Sequence, residues 1–297
     1  MPQTPQKRKI SELSSIEFIN CFSLLVVFGS VSTSFFFGKL FRAQLPFSFY
    51  WVLATTIWVI YSIDHILDGN KMKEKATSIR HIIHFEYQKP ILAIVAALVV
   101  FNAFFTVAFL PIKIVYAGIL VAALVIAYFL FVHYFKYLKI SWLKELFVAT
   151  IACVGMAVMP GIAGNLSTNI ASVFLLICLV FINFTNLILF SYYDYDNDIA
   201  GGLKSAATRW GKEKTRNTIL YLLTAAFFSF MIWLFSFHQP IKMVVTIPIL
   251  LMMNTLLIIW LQEERFKENE LYRFWGDLIF MFPGILWLLL DKFSYGY

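Results

Sequence analysis

Charge is scarce in this chain: 14% of its 297 residues are Asp, Glu, Lys or Arg, while 60% are hydrophobic. A soluble domain of this length needs far more polar side chain to cover its core, so a water-soluble globular fold is excluded. Cysteine is sparse as well. Cys21, Cys153 and Cys178 fall in apolar stretches without any C-x-x-C spacing, which speaks against a disulfide framework or thiolate metal centre and for small core side chains. The net charge of +7 comes with no basic stripe of interleaved aromatics outside the connecting segments, so no nucleic-acid partner is expected. Residues 1–13 form a polar leader, and no small-residue cleavage site follows the first apolar run, so no removable signal peptide is expected.

What the chain has is long apolar runs. Nine can be marked: Ile16–Gly38, Phe47–Ile66, Ile91–Leu110, Ile112–Val132, Leu143–Ile162, Ile170–Tyr192, Ile219–Phe237, Val244–Leu261 and Trp275–Leu290. Runs of this length read as transmembrane helices, so the chain is expected to be an all-α, multi-pass membrane protein with one integral domain over residues 1–297. With the N-terminus on the cytoplasmic side, nineteen of the 24 basic residues fall in inner segments, the bias expected of cytoplasmic loops. Pro160, Pro248 and Pro283 lie within the fifth, eighth and ninth runs, where kinks are expected.

Two polar stretches, about 67–90 and 193–218, each begin at an acidic cluster and continue into a basic segment on the same expected side. Asp64 and Asp68 are four residues apart, as are Asp194 and Asp198, which places each pair on one helix face. Such like charges repel unless something positive lies between them. Magnesium fits, because it takes one or two carboxylates and completes its octahedron with water and phosphate oxygens. Facing pairs could thus hold a diphosphate through bridging metals that stabilise it as a leaving group. Lys71, Arg80, Lys204 and Arg209 lie nearby in sequence as further phosphate contacts. Asp196 cannot share the face of Asp194 and Asp198 on a regular helix.

The run Asp194-x-Asp196-x-Asp198-x-x-x-Gly202-x-Lys204-Ser205-x-x-x-x-x-Gly211 closely resembles the second aspartate motif of the UbiA superfamily of intramembrane prenyltransferases. Asp64-x-x-x-Asp68 resembles the first motif, and Tyr134-x-Lys136-x-x-Lys139 before Trp142-Leu143 is similar to the family's segment entering the fifth span. The resemblance implies a nine-helix bundle around a central cavity in which a prenyl diphosphate ionises with Mg2+ and alkylates a lipophilic, aromatic acceptor. It also implies that Asp64, Asp68, Asp194, Asp196 and Asp198 hold the metal, and that Lys139 and Lys204 face the diphosphate. Ile60 and Tyr61 stand where the family carries Asn or Asp ahead of the first motif, and Asn20 is the central polar residue of the first run.

Alternatives remain open at this point: a terpene cyclase of the same superfamily, or a non-catalytic lipid carrier or transporter with the same fold. His65, His81 and His84 raise a zinc site, for which third and fourth ligands are not visible at helical spacing. Asn102, Asn183, Asn186 and Asp277 interrupt apolar runs and are expected to pair between helices, because unsatisfied polar groups in hydrocarbon are costly.

Overall fold

The computed structural model describes residues 10–72, 78–134, 142–164, 170–236 and 242–294, and every regular element among them is helical. Ser14 starts the first helix with a capping box: its hydroxyl accepts from the Glu17 amide while the Glu17 carboxylate accepts from the Ser14 amide. That helix, α1 (Ser15–Cys21), meets α2 (Leu24–Leu40) at a 67° bend. The single span expected over Ile16–Gly38 is therefore two helices. At the bend Ser23 takes a left-handed conformation, φ 52°, and its hydroxyl hydrogen-bonds His65 Nε2 at 2.9 Å, tying the corner to α3.

Helix α3 (Phe47–Met72) runs six residues past its apolar stretch, so Asp64 and Asp68 stand within the helix and not beyond it. The amphipathic α4 (Ile79–Glu86) follows, then α5 (Gln88–Phe109), α6 (Ile112–Tyr134), α7 (Trp142–Ala163) and α8 (Ile170–Tyr193). Two short helices, α9 (Tyr195–Gly201) and α10 (Ala206–Trp210), structure the second polar stretch and lead into α11 (Lys212–Ser236) and α12 (Lys242–Leu261).

The last span is broken into α13 (Glu263–Lys267), α14 (Leu271–Leu278) and α15 (Phe282–Ser294), joined by 3-10 turns at Glu268–Glu270 and Ile279–Met281. It begins well before the expected Trp275. Pro283 is the second residue of α15, where its missing N–H is harmless, while Pro160 and Pro248 lie inside α7 and α12. Carbonyls at the second break are satisfied from α2: Ser32 Oγ donates to Met281 O at 2.7 Å and Thr33 Oγ1 to Phe280 O at 2.8 Å.

Among the described residues eight helices or helical units are long and apolar enough to span a bilayer, and the bent α1–α2 pair makes a ninth. They pack as two rings sharing one wall. Helices α2, α3, α5, α6 and α7 close one ring, and α2, α7, α8, α11, α12 and α15 close the other. The second ring is filled by the main core, in which Cys178, Ile182, Ile188 and Leu189 of α8 are fully buried. Helices α5 and α6 expose Phe101, Phe104, Val107, Ile119 and Leu120, an outer apolar face suited to lipid.

The polar residues inside spans pair between helices as expected. Asn102 bonds Thr55 and Thr56 of α3, and Asn183 donates to Ala149 O. Asn186 bonds Asp277. Gly276 permits that last contact, because a Cβ there would collide with Asn186 Oδ1 and come within 2.7 Å of the Phe190 ring. Cys21, Cys153 and Cys178 are buried free thiols.

Candidate active site

The first acidic motif lies on one face of α3 near its end. Lys71, one turn on, donates to Asp68 Oδ1 at 2.7 Å, and Lys144 at the start of α7 is in electrostatic contact with both Asp64 and Asp68. Asp68 is buried, while Asp64 is half-buried. Around it stand Tyr128 of α6 and Tyr61 of α3. Tyr61, at the position where the resemblance leads one to expect a ligand, is within electrostatic reach of Asp64, Asp277 and Tyr128.

The second motif begins where α8 ends. Asp194 is the N-cap residue of α9, and its carbonyl accepts from the Asp198 amide at 2.8 Å. Asp194 and Asp198 are both buried, whereas Asp196 is 68% exposed and 3.6 Å from Lys267. The reason is helical phase: two residues on from Asp194 the chain has turned about 200°. Gly202 ends α9 in a left-handed conformation, φ 70°, and Ser205 then caps α10 in a box with Thr208. The α10 amides are further held by Glu145, which accepts from Ala206 N at 3.0 Å, and by Ser191, which accepts from Ala207 N at 2.9 Å.

The helices that carry these two motifs meet at their ends. Gly201 of α9 sits so close to Met72, the last residue of α3, that a Cβ at 201 would overlap the Met72 thioether methyl. Arg80 of α4 crosses the same gap and reaches Asp194 Oδ2 with an Nη2 distance of 3.3 Å. The expected cation for the acidic pairs is thus partly supplied by the protein: Lys71 on Asp68, Arg80 on Asp194.

Asp194 has two more partners, both from α14. Arg273 Nη2 lies 2.5 Å from Oδ2, and Tyr272 donates its hydroxyl to Oδ1 at 2.6 Å. Two consecutive left-handed residues, Asn269 at φ 49° and Glu270 at φ 53°, turn the chain into α14 and aim these side chains at Asp194. Burial alone would raise the Asp194 carboxyl, but Arg273 and then Arg80 hold it below the usual carboxylate range. Asp198 behaves oppositely. Burial, reinforced by the charge of Asp194 and opposed by a Ser205 hydrogen bond, pushes it up to about 6.

Beside Arg80 the histidines do come together. The His65 ring lies 5.0 Å from that of His84 and 6.1 Å from that of His81. Their nitrogens are partly committed, His65 Nε2 to Ser23 and His84 Nδ1 to the Arg80 carbonyl. Among the described residues, no three His, Cys, Asp or Glu side chains are arranged to hold a metal ion by themselves. Hard oxygen donors for Mg2+ are nevertheless present in the form it usually uses, a few carboxylates open to substrate phosphate. Asp68 has one oxygen beyond its Lys71 contact, and no hydrogen bond to Asp64 is seen among the described residues.

Lys204 and Arg209 are exposed on the second motif's flank, and Lys139 lies outside the described residues. Reading the sequence missed Arg273, Tyr272 and Lys144 as site residues. An available signal was Arg273-x-x-x-Asp277, two charges on one face ahead of an apolar run, but the preceding charges at 263–270 disguise it as loop.

The fold and these motifs define an integral, multi-pass membrane protein with a polar, acidic site at the end of its helix bundle. A model of the UbiA prenyltransferase family matches residues 88–278, and the chain belongs to that family. A solved UbiA homologue from Archaeoglobus fulgidus, bound to GPP and Mg2+, has a similar fold with a TM-score of 0.63 at 12% identity, over 91% of this chain and 99% of that one. A solved digeranylgeranylglyceryl phosphate synthase is similar at a TM-score of 0.53 and 14% identity, over 90% and 97%. No curated protein matches.

Proposed function

We propose that the protein transfers a prenyl group from a prenyl diphosphate to a lipophilic, aromatic acceptor within the membrane, with Mg2+ as cofactor and the acidic motifs on the cytoplasmic side. The observation that carries this reading is that the helix ends bearing the two motifs touch at Gly201 and Met72, with Lys71 and Lys144 beside the first motif and Arg80 on Asp194 of the second. Family membership and the GPP and Mg2+ bound by the Archaeoglobus fulgidus homologue support it.

In this reading Asp64 and Asp68 of the first motif and Asp198 of the second would each offer oxygens to Mg2+ together with the substrate's phosphates, and the metal would supply Lewis-acid neutralisation of charge on the departing diphosphate. Asp194 enters through its arginines, and Asp196 stays in solvent. Arg80, Lys71 and Lys144 orient the diphosphate, with Lys204, Arg209 and Lys139 at its periphery. The allylic C1–O bond breaks with its electron pair going to the diphosphate, the acceptor bonds to C1, and the acceptor's proton is released. Tyr61 and Tyr128, both within electrostatic reach of Asp64, are the aromatic side chains that would stabilise the positive charge of the allylic cation.

The test is diphosphate release from geranyl and longer prenyl diphosphates by the purified protein, with mass spectrometry of lipid products formed from a membrane extract. Release should stop on chelation and return with Mg2+. It should fall about 100-fold or more in Asp68→Asn and Asp198→Asn, and stay within about twofold in the solvent-facing Asp196→Asn. Release that ignores chelation, or none from any prenyl diphosphate, would sink the reading.

A further inference from the structure

Resting on that reading, we infer that Arg273 and Arg80 form a guanidinium fork that receives the diphosphate, and that Asp194 occupies the fork as a stand-in anion before the substrate arrives. Both guanidinium groups converge on the same oxygen, Asp194 Oδ2, from different ends of the chain. Asp194 alone does not balance two guanidinium charges, and Glu270 and Asp277 also stand within electrostatic reach of Arg273. The two guanidinium groups also have unused donors: Arg80 Nη1 and Arg273 Nε are buried without a hydrogen-bond partner, Glu270 Oε2 being 3.8 Å from the latter.

Buried charged donors without acceptors are costly, and a native site holding two of them side by side is matched to an anion with more oxygens than a carboxylate offers. A diphosphate is such an anion, and guanidinium is the side chain that binds phosphate in a bidentate, planar fashion. The fork is also stiff. The Arg273 guanidinium lies over the rings of Phe190 at 4.6 Å and Tyr272 at 5.6 Å, which fixes its plane and leaves its N–H edge free to address an anion. Side chains of Arg80 and Arg273 are each 12% exposed, so the bond they offer is made in a desolvated place.

When the diphosphate takes the fork, Asp194 loses its neutralising partners and its oxygens become available beside Asp198. Arg273 therefore has two successive partners, and the exchange joins substrate arrival to completion of the second motif. No bond is made or broken in this step.

Binding separates this from a purely structural lock. Full-length protein in detergent would be titrated calorimetrically with inorganic diphosphate without metal, and with geranyl diphosphate plus Mg2+. Arg273→Gln should weaken both by about tenfold or more, and Arg273→Lys should recover part of the loss. Asp194→Asn, which empties the fork, should tighten metal-free inorganic diphosphate several-fold, roughly, by removing the competing anion. A folded Arg273→Gln that binds both ligands as wild type does would overturn the fork. Should Arg273→Gln not fold, Asp194→Asn decides alone: metal-free diphosphate binding no tighter than wild type overturns the proposal. Wild type that binds inorganic diphosphate through Arg273 but no geranyl diphosphate keeps the fork and rejects the prenyl reading. Binding of neither ligand rejects both.

Discussion

Tyr193 and Tyr272 lie face to face, ring centroids 4.4 Å apart and planes within 4° of parallel, one residue before Asp194 and one residue before Arg273. The stack sets α14 against the end of α8 in the register that lets Arg273 find Asp194. Each ring is anchored at its hydroxyl, Tyr193 to Ile259 O at 2.8 Å and Tyr272 to Asp194 Oδ1.

Removing one hydroxyl should cost differently at the two positions. Tyr272→Phe keeps the stack but strips a buried, charged acceptor of its donor, a loss of about 2 kcal/mol. Tyr193→Phe leaves only a backbone carbonyl short of a partner and should cost about 1 kcal/mol. Thermal unfolding in detergent measures both. Equal losses would mean that Asp194 does not depend on the Tyr272 hydroxyl.

The contact of Gly201 with Met72 makes the spacing between motifs sensitive to side-chain size. Gly201→Ala meets only the flexible end of Met72, which can swing away, so it should cost about 1 kcal/mol or less. Gly201→Leu should push α9 off the end of α3 and reduce Mg2+-dependent diphosphate release by about tenfold or more, with a smaller effect on melting temperature. Trimming the opposing residue in Gly201→Leu/Met72→Ala should restore part of the release. No restoration would show that the gap is not set by this contact.

At Gly276 the neighbours are less forgiving. A methyl there meets the Asn186 amide and the Phe190 ring, both on α8, so Gly276→Ala should destabilise by about 2 kcal/mol. Adding Asn186→Ala opens the space, and the double variant should lose less than the sum of the single losses. Strict additivity in thermal melts would place the strain elsewhere.

Acid should weaken the fold through the histidines. His81 is pushed down to about 3, first by burial and then by Arg80 and Arg273, with Asp68 and Asp194 pulling the other way; burial lowers His84 too. Because the folded value lies below the unfolded one of about 6.5, the unfolded chain alone takes up the proton between them, and stability falls as pH drops below about 6.5. One such histidine contributes at most about 1.4 kcal/mol per pH unit. Asp198, raised to about 6, acts oppositely, gaining stability as pH falls from there toward the unfolded carboxylate value. The difference between wild type and His81→Gln isolates the histidine. Melting temperatures between about pH 7.5 and 5 should fall more steeply for wild type, and parallel curves would exclude this role.

Much of this was legible in the linear chain because the determinants are local. Apolar run length fixed the spans, the four-residue spacing put Asp64 with Asp68 and Asp194 with Asp198, and the Gly202 and Ser205 positions became a left-handed cap and an N-cap. Helical phase even separated Asp196 from its neighbours. Non-local pairings were not legible. Arg80 reaches across 114 positions to Asp194, and Arg273 across 79, and neither distance leaves a periodic trace. The bend at Ser23 was hidden because nothing marks a left-handed serine within an apolar run. Repulsion within the acidic pairs pointed to a bound cation, but lysine and arginine side chains already supply part of that charge.

The 3-10 turn at Ile279–Met281 acts as a phase shifter in the last span. Each 3-10 residue advances about 120° around the axis against about 100° in an α-helix, so three of them rotate everything downstream by about 60° relative to an unbroken helix. Upstream, Arg273 and Asp277 are dialled toward the polar site; downstream, Trp287 is dialled into the apolar core against Phe36. A single inserted or deleted residue here would therefore work as a rotation of about 100°, setting one end of the span correctly only by misdirecting the other.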